Sequence, residues 1–118
     1  MKHHAAIRKL GRERNQRRAL LRHLARALVL EENIETTLAK AKELRPFIER
    51  LVTLARRGGV AERRRVAREM GGESVAVKKL FAEIAPRFSS RNGGYVRIVR
   101  TRIRTSDSAI MARILFVE

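Results

Sequence analysis

The chain contains no cysteine. It therefore forms neither a disulfide framework nor a thiolate metal site, which suits a reducing compartment. No apolar run approaches the roughly 20 residues needed to span a bilayer, and the N-terminus lacks the apolar stretch of a secretory signal. That N-terminus is Arg-rich and acid-poor like an organellar transit peptide, but it holds no serine. Aromatics are sparse, with one tyrosine and four scattered phenylalanines. Phe47 and Phe81 fall on apolar helical stripes, so no stacking platform of the kind that reads single-stranded nucleic acid is present. Asp107 is the only aspartate and falls in a turn. His3 and His4 are adjacent but have too few companions for a metal site. No Gly-rich loop ends in Lys-Ser/Thr, and no nucleophile elbow occurs. Glu31, Glu32 and Glu35 cluster where a helix should end, and read as counter-charges to nearby arginines. These gaps leave no catalytic constellation, and the expectation is a protein without cofactor, metal or small-molecule substrate.

What is abundant is positive charge. The 118 residues carry a formal net charge of +16, while 44% hydrophobic content suffices for one modest core. Residues 1–30 hold nine Lys/Arg against Glu13 alone, and residues 84–118 hold seven against Asp107 and Glu118. The stretch between is nearly balanced, with twelve against nine. Such a surplus opposes compaction by self-repulsion unless an anionic partner neutralises it. Nucleic acid is the commonest such partner, and the uneven distribution suggests a basic arm and a basic patch around a balanced middle.

Residues 1–14 show no sustained apolar periodicity and read as an extended basic arm that orders on a polyanion. Residues 15–118 read as a single α+β domain. From Asn15, a candidate N-cap, Leu20, Leu21, Leu24, Ala27 and Leu28 recur at helical spacing, with Arg17, Arg18, Arg22 and Arg26 elsewhere on the wheel. The helix ends at "EEN" (31–33), with Asn33 suited to a left-handed turn. "IETTL" (34–38) alternates as a short strand. A helix over 38–57 carries Leu44, Phe47, Ile48, Leu51, Val52, Leu54 and Ala55 inward, and Pro46 predicts a kink near Arg45 or two abutting helices. Gly58-Gly59 and Gly71-Gly72 bracket a shorter helix, "VAERRRVAREM". Ser74 caps another to about Ala85, which Pro86 limits. Two strands joined at "TSDS" then form a hairpin, and "AIMARILFV" reads as its buried central strand. The expected fold is α+β, with helices packed on a small mixed sheet made of the short strand and a C-terminal hairpin.

The first strand of that hairpin lies in "RNGGYVRIVRTRIR" (91–104). Tyr95 starts it and reads as half-buried packing rather than a base-stacking platform. Val96 and Ile98 share one face, whereas Val99, Thr101 and Ile103 share the other. A β-bulge between Ile98 and Val99 restores consistency and makes Arg100, Arg102 and Arg104 project together about 6.5–7 Å apart. That interval matches adjacent backbone phosphates, so each guanidinium can take its own phosphate. No acid in the stretch offsets them. Gly93 and Gly94 let the preceding backbone approach a partner closely.

"RKLGR" (8–12), "RRALLRHLA" (17–25), "IETTLAKAKELRPFIERLVTLARRG" (34–58), "KKLFAEIAPRF" (78–88) and "RNGGYVRI" (91–98) occur in this order along the chain. Through them the sequence resembles bacterial-type ribosomal large-subunit protein seventeen over nearly its whole length. "HHAAI" (3–7), Gln16, His23, "LEEN" (30–33) and Ile110 depart from that family's usual residues. The resemblance implies a small α+β protein of the cytoplasmic ribosome, bound to large-subunit rRNA near the tunnel exit, with neighbouring large-subunit ribosomal proteins as partners. It has no membrane role in this picture.

The expected rRNA contacts are spread over the chain. The arm supplies Lys2, His3, Arg8, Lys9, Arg12 and Arg14, and the first helix supplies Arg17, Arg18 and Arg22. Lys40 and Lys42 stand by the Thr36-Thr37 entry to a helix N-terminus. Arg91, Gly93, Gly94, Arg97, Arg100, Arg102 and Arg104 complete the set. Three other readings remain open on residues alone. A duplex-DNA regulator would use "VAERRRVAREM" as recognition helix and dimerise. An RNA-modifying enzyme would need acid/base groups that are missing. A membrane-surface helix at 15–30 leaves the hairpin unexplained.

Overall fold

The computed structural model describes residues 13–117. The first helix, α1 (Arg14–Glu31), starts with Glu13 as N-cap, so Asn15 lies inside it and is not the cap. Arg14 and Gln16 are good helix formers, and the exposed first turn propagates past the asparagine. Its buried residues are Leu21, Ala25, Leu28 and Val29, a stripe rotated slightly from the expected one; Leu20, Leu24 and Ala27 flank it half-buried. The helix stops at Glu32, which takes the left-handed conformation (φ 67°) expected of Asn33, and its N–H returns to the Leu28 carbonyl at 2.7 Å. Asn33 instead opens β1 (Asn33–Thr37).

Thr37 ends that strand and caps α2 (Leu38–Arg57), its hydroxyl accepting from the Lys40 N–H at 3.3 Å. The helix is continuous through Pro46 rather than split in two. Pro46 and Lys42 both lie on the exposed side, where water can satisfy the Lys42 carbonyl that proline cannot serve. Ala41, Leu44, Ile48, Leu51, Val52, Leu54 and Ala55 are buried along the opposite side. Each Leu or Ile there contributes about 1.5–3 kcal/mol by leaving water. Gly58 (φ 69°) closes α2, and α3 (Val60–Glu69) follows.

Ser74 caps α4 (Val75–Lys79) through the Val77 N–H, as expected. The helical path then widens to a π-turn over Leu80–Ile84 before α5 (Ala85–Arg87), so it runs two residues past the expected end. The Ala85 N–H reaches back five residues to the Leu80 carbonyl. That wider turn makes room for the Pro86 ring, which in a regular helix would crowd the carbonyl of Ala82.

β2 (Val96–Ile103) and β3 (Ile110–Phe116) form the hairpin, and β3 lies at the centre of a sheet ordered β1-β3-β2. Both pairings are antiparallel, so the sheet is not mixed. Ile34, Val96, Ile98, Ala112, Ile114 and Phe116 belong to the core beneath α1 and α2. The other face exposes Arg97, Val99 and Arg102 of β2, but on β3 Met111 is buried there and Leu115 half-buried, so the central strand is covered as expected apart from Arg113 and the terminal Ile110. The α+β class stands.

The bulge sits at Thr101, between Arg100 and Arg102, and not between Ile98 and Val99. Val99 therefore stays on the open face, 46% exposed. Arg100, opposite Ala112, shares the helix-side face with Ile98, while Arg102, opposite Met111, turns to the open face. The three arginines do not project together. A cross-sheet partner decides this: Glu35 on β1 accepts from the Thr101 hydroxyl at 2.6 Å and from Arg102 at 3.3 Å. Only a bulge at Thr101 presents both neighbours to one carboxylate.

Candidate nucleic-acid interface

The arginines of β2 and the turn after it are partly neutralised from elsewhere in the chain. Arg102 pairs with Glu35, whose carboxyl is held below its ordinary range by the Thr101 hydroxyl and the Arg102 guanidinium. Arg104 grips Asp107 with two hydrogen bonds, at 2.9 and 2.7 Å. The Arg104 contact, with the Ala109 N–H, brings the Asp107 carboxyl down to about 2. Arg113 donates to Asn33 at 2.7 Å. Arg97 and Arg100 have no such partner among the described residues.

Unquenched charge collects instead between the helices. A groove of about 670 Å³ between α1, α2 and α3 is lined by six cations, Arg17, Arg18, Arg22, Lys42, Arg50 and Arg68, against Glu43 and Glu69. Helical geometry builds it. Arg18 and Arg22 stand four apart on α1, and Lys42, Pro46 and Arg50 stand four apart on α2, so each set shares one helix face. Arg17 leans on the buried Glu43 at 3.7 Å, and Arg22 Nε donates to the Glu69 carbonyl at 3.3 Å. Arg26 donates to the next carbonyl, Met70, at 2.9 Å, so α1 holds the C-terminal end of α3 at the groove wall. Arg50 lies 5.7 Å from the Phe47 ring centroid. Arg18, Lys42 and Arg68 have no partner among the described residues.

A second cleft, of about 400 Å³, is lined by Lys42, Arg45, Pro46, Glu49 and Ile98. The two clefts share Lys42 and Pro46, so the cationic surface continues over α2 toward β2. Because of the displaced bulge, Arg100 lies on the Ile98 side, at the end of that track.

Of the expected contact residues, the groove brings together Arg17, Arg18, Arg22 and Lys42. Arg14 is exposed at the start of α1, and Lys40 lies in the first turn of α2 outside both clefts. Arg91 donates to the Gly94 carbonyl at 3.3 Å, in the loop that Arg56 ties to the C-terminal end of α2 through Ser89 and Asn92. Gly93 (φ 102°) and Gly94 (φ 64°) have open space where a Cβ would stand. Lys2, His3, Arg8, Lys9 and Arg12 lie outside the described residues. Arg45, Arg50 and Arg68 were not anticipated; the four-residue interval from Lys42 through Pro46 was the available signal for Arg50.

Tyr95 is not a surface platform. It is 1% exposed, its ring tilted 54° against that of Phe88 with centroids 5.2 Å apart, and its hydroxyl lies 3.1 Å from Thr53 and 3.0 Å from Arg56. Of the three clustered glutamates, Glu32 and Glu35 act as counter-charges, as expected, while Glu31 has no such partner among the described residues. Glu32 binds Arg87 at 2.6 Å and Lys79 at 3.1 Å, and these two cations hold its carboxyl at about 2.

Fold and surface together define a small α+β protein that presents a groove lined mostly by cations. Residues 20–117 match the family described as ribosomal protein L17, and the chain belongs to that family. Its members are structural proteins of the ribosome and not enzymes. The chain is 52% identical over 117 residues to a large ribosomal subunit protein bL17 of Campylobacter jejuni, covering 99% of each. It is 49% identical over its whole length to a protein of that name from Erythrobacter litoralis, of which it covers 84%. A third, from Shouchella clausii, is 50% identical over 119 residues, covering 95% of this chain and 99% of that protein.

Proposed function

We propose that this chain is a constituent of the large ribosomal subunit, which binds and stabilises large-subunit rRNA by neutralising its phosphates, near the tunnel exit. The observation that carries the reading is the continuous cationic track, in which Arg18, Lys42 and Arg68 have no partner among the described residues. Guanidinium groups on two packed helices stand at fixed positions, and suit a pre-folded RNA surface whose phosphates are equally fixed. With no exposed aromatic platform, contacts to backbone and shape dominate over base readout. The arm residues Lys2, His3, Arg8, Lys9 and Arg12 extend this contact, and Arg14 at the start of α1 with Lys40, Arg91, Gly93, Gly94, Arg97 and Arg100 add to it. Arg102 and Arg104 contribute less, since binding must first draw them from Glu35 and Asp107. The ribosome of the cytoplasm is the place of action.

The test is a salt titration with large-subunit rRNA fragments, paired with co-sedimentation. If about ten phosphates are engaged, the log–log slope of affinity against salt falls at about −7 to −9. The protein stays with the large subunit after a moderate salt wash. A nearly flat titration, or equal binding to duplex DNA of the same length, removes the reading.

A further inference from the structure

We propose that the open face of the sheet is a second RNA-binding surface, so that one molecule bridges two separate RNA segments, one in the helical groove and one across the sheet. The proposal rests on the rRNA reading and adds to it a site with its own residues, facing another way.

β2 divides its arginines between two directions. Arg100 lies with Ile98 on the helix-side face, at the end of the groove's track, whereas Arg97 lies on the open face. Without the extra residue at Thr101, alternation would carry Arg102 to the helix side beside Arg100; the bulge returns it to the face of Arg97. β3 adds Arg113 there, opposite Val99. Arg97 stands opposite Leu115 and Arg102 opposite Met111, so Arg113 is the diagonal neighbour of both. Diagonal neighbours stand about 7–8 Å apart, close to one step of a sugar-phosphate chain. The zigzag Arg97–Arg113–Arg102 therefore follows the repeat of an RNA strand.

These three cations meet one carboxylate on the face, Glu35, which Arg102 takes. The paired residues of the three strands place no other charge there, and Arg104, beyond the end of β2, is matched by Asp107. Arg113 donates to Asn33 at 2.7 Å, and that neutral amide orients the guanidinium without cancelling its charge. Arg97 has no partner among the described residues. The face thus keeps the charge of Arg97 and Arg113 uncompensated.

Its apolar content does not suit a protein partner. Met111 is buried and Leu115 half-buried, which leaves Val99, 46% exposed, as the one exposed hydrophobic residue of the face. Protein interfaces centre on a desolvated apolar cluster, whereas arginines around a single valine suit phosphate and sugar. A second copy of this chain is disfavoured because Arg97 and Arg113 would meet their own counterparts.

One straight RNA segment cannot fill both sites. α1 and α2 cover the opposite face of the sheet, with the core between. The groove opens among the helices, and the arginine face looks away from them. Where both segments belong to one folded RNA, the second contact is intramolecular, and two modest sites on a rigid body act as one firm tether.

The experiment uses large-subunit rRNA fragments, one portion biotinylated on beads and another carrying a dye. Bridging is read as dye brought to the beads by the protein. For wild type the signal should rise and then fall as protein exceeds RNA, since each molecule then holds a single fragment. Val99→Glu sets a carboxylate opposite Arg113, and Arg113→Gln removes that cation. Each should lose at least about tenfold in recruited dye, yet bind single fragments by anisotropy within about twofold of wild type. Val60→Glu, the same charge change at the exposed start of α3, should alter neither signal. Thermal melts check that each variant folds. A photo-crosslinking side chain at position 99 should yield an rRNA adduct in the large subunit. Recruitment that survives both variants, equal losses in the two assays, bridging by a dimer in light scattering, or an adduct with protein alone overturns the second surface. Single fragments bound without bridging remove only this proposal, whereas no binding to any fragment removes the rRNA reading and this proposal with it.

Discussion

Arg56 Nη1 donates to the Tyr95 hydroxyl at 3.0 Å, and the same guanidinium reaches the Ser89 carbonyl at 3.1 Å. One arginine on α2 thus anchors both the loop before the hairpin and the residue that leads into it. Burial alone would push the Tyr95 phenol up, but Thr53 and Arg56 outweigh it and leave it below the ordinary tyrosine value.

Replacing Tyr95 with Phe keeps the ring against Phe88 and removes only the oxygen. Arg56 Nε is already buried without a partner, so a further lost acceptor falls on a group poorly satisfied in the fold. The expected cost is about 1–2 kcal/mol in urea denaturation, with rRNA affinity unchanged once the variant is folded. A variant of full stability but weakened RNA binding would show instead that the hydroxyl contacts the RNA.

Glu32 governs the acid limb of stability. Its carboxyl is lowered to about 2 from 4.5, chiefly by the hydrogen bond from Arg87 and then by that from Lys79. The folded value is the lower one, so the contribution is complete above about 4.5 and is lost as pH falls toward 2. Both partners are part-exposed, 35% for Glu32 and 38% for Arg87, so solvent screening holds the effect to about 1 kcal/mol. Denaturation of Glu32→Gln from pH 7 to 2.5 should show that loss at neutral pH and a shallower decline in acid than wild type. Parallel curves would place the sensitivity elsewhere.

Local chemistry made much of this fold legible. The bounds of α2, the Thr37 and Ser74 caps, the Gly58 stop and the hairpin all follow from residues within a few positions of each element. The facing of β2 is not legible in its own residues because its decisive partner, Glu35, lies 67 positions from Arg102 and reaches it only across the sheet. Parity within β2 cannot register a carboxylate on β1. The groove was half-visible for the same reason: Arg18 and Arg22 show on one helix, but Arg68 joins them only when α3 packs beside α1. The widened turn before Pro86 was hidden because proline marks a stop in sequence, whereas a π-turn lets the chain continue.

Gly94 stands at φ 64° and Gly93 at φ 102°, with nothing near either Cβ position. The backbone conformation alone therefore requires glycine in the isolated chain. Gly94→Ala is expected to cost about 1 kcal/mol through left-handed strain, read as a lower midpoint in denaturant. In rRNA titrations at matched folded fraction, an added loss for the alanine variant indicates that RNA occupies that open space; an equal affinity removes Gly94 from the interface.

The division of arginines into free and self-paired sets gives the sharpest test. Arg18, Lys42 and Arg68 have no partner among the described residues, so Arg18→Gln, Lys42→Gln and Arg68→Gln combined should leave thermal stability unchanged or raise it slightly by easing repulsion. Each lost phosphate contact lowers the salt slope by about 0.7–0.9, so the triple variant should fall about 2–2.7 short of wild type. Arg102→Gln and Arg104→Gln should do the reverse. They release Glu35 and Asp107, loosen the bulge and the turn, and add two uncompensated carboxylates near the RNA while changing the slope less than the groove triple does. Fluorescence anisotropy over a salt series, with melts on the same samples, separates the two. A triple variant with an unaltered slope, or a hairpin pair that carries the larger share, would move the interface from the helical groove to the strand.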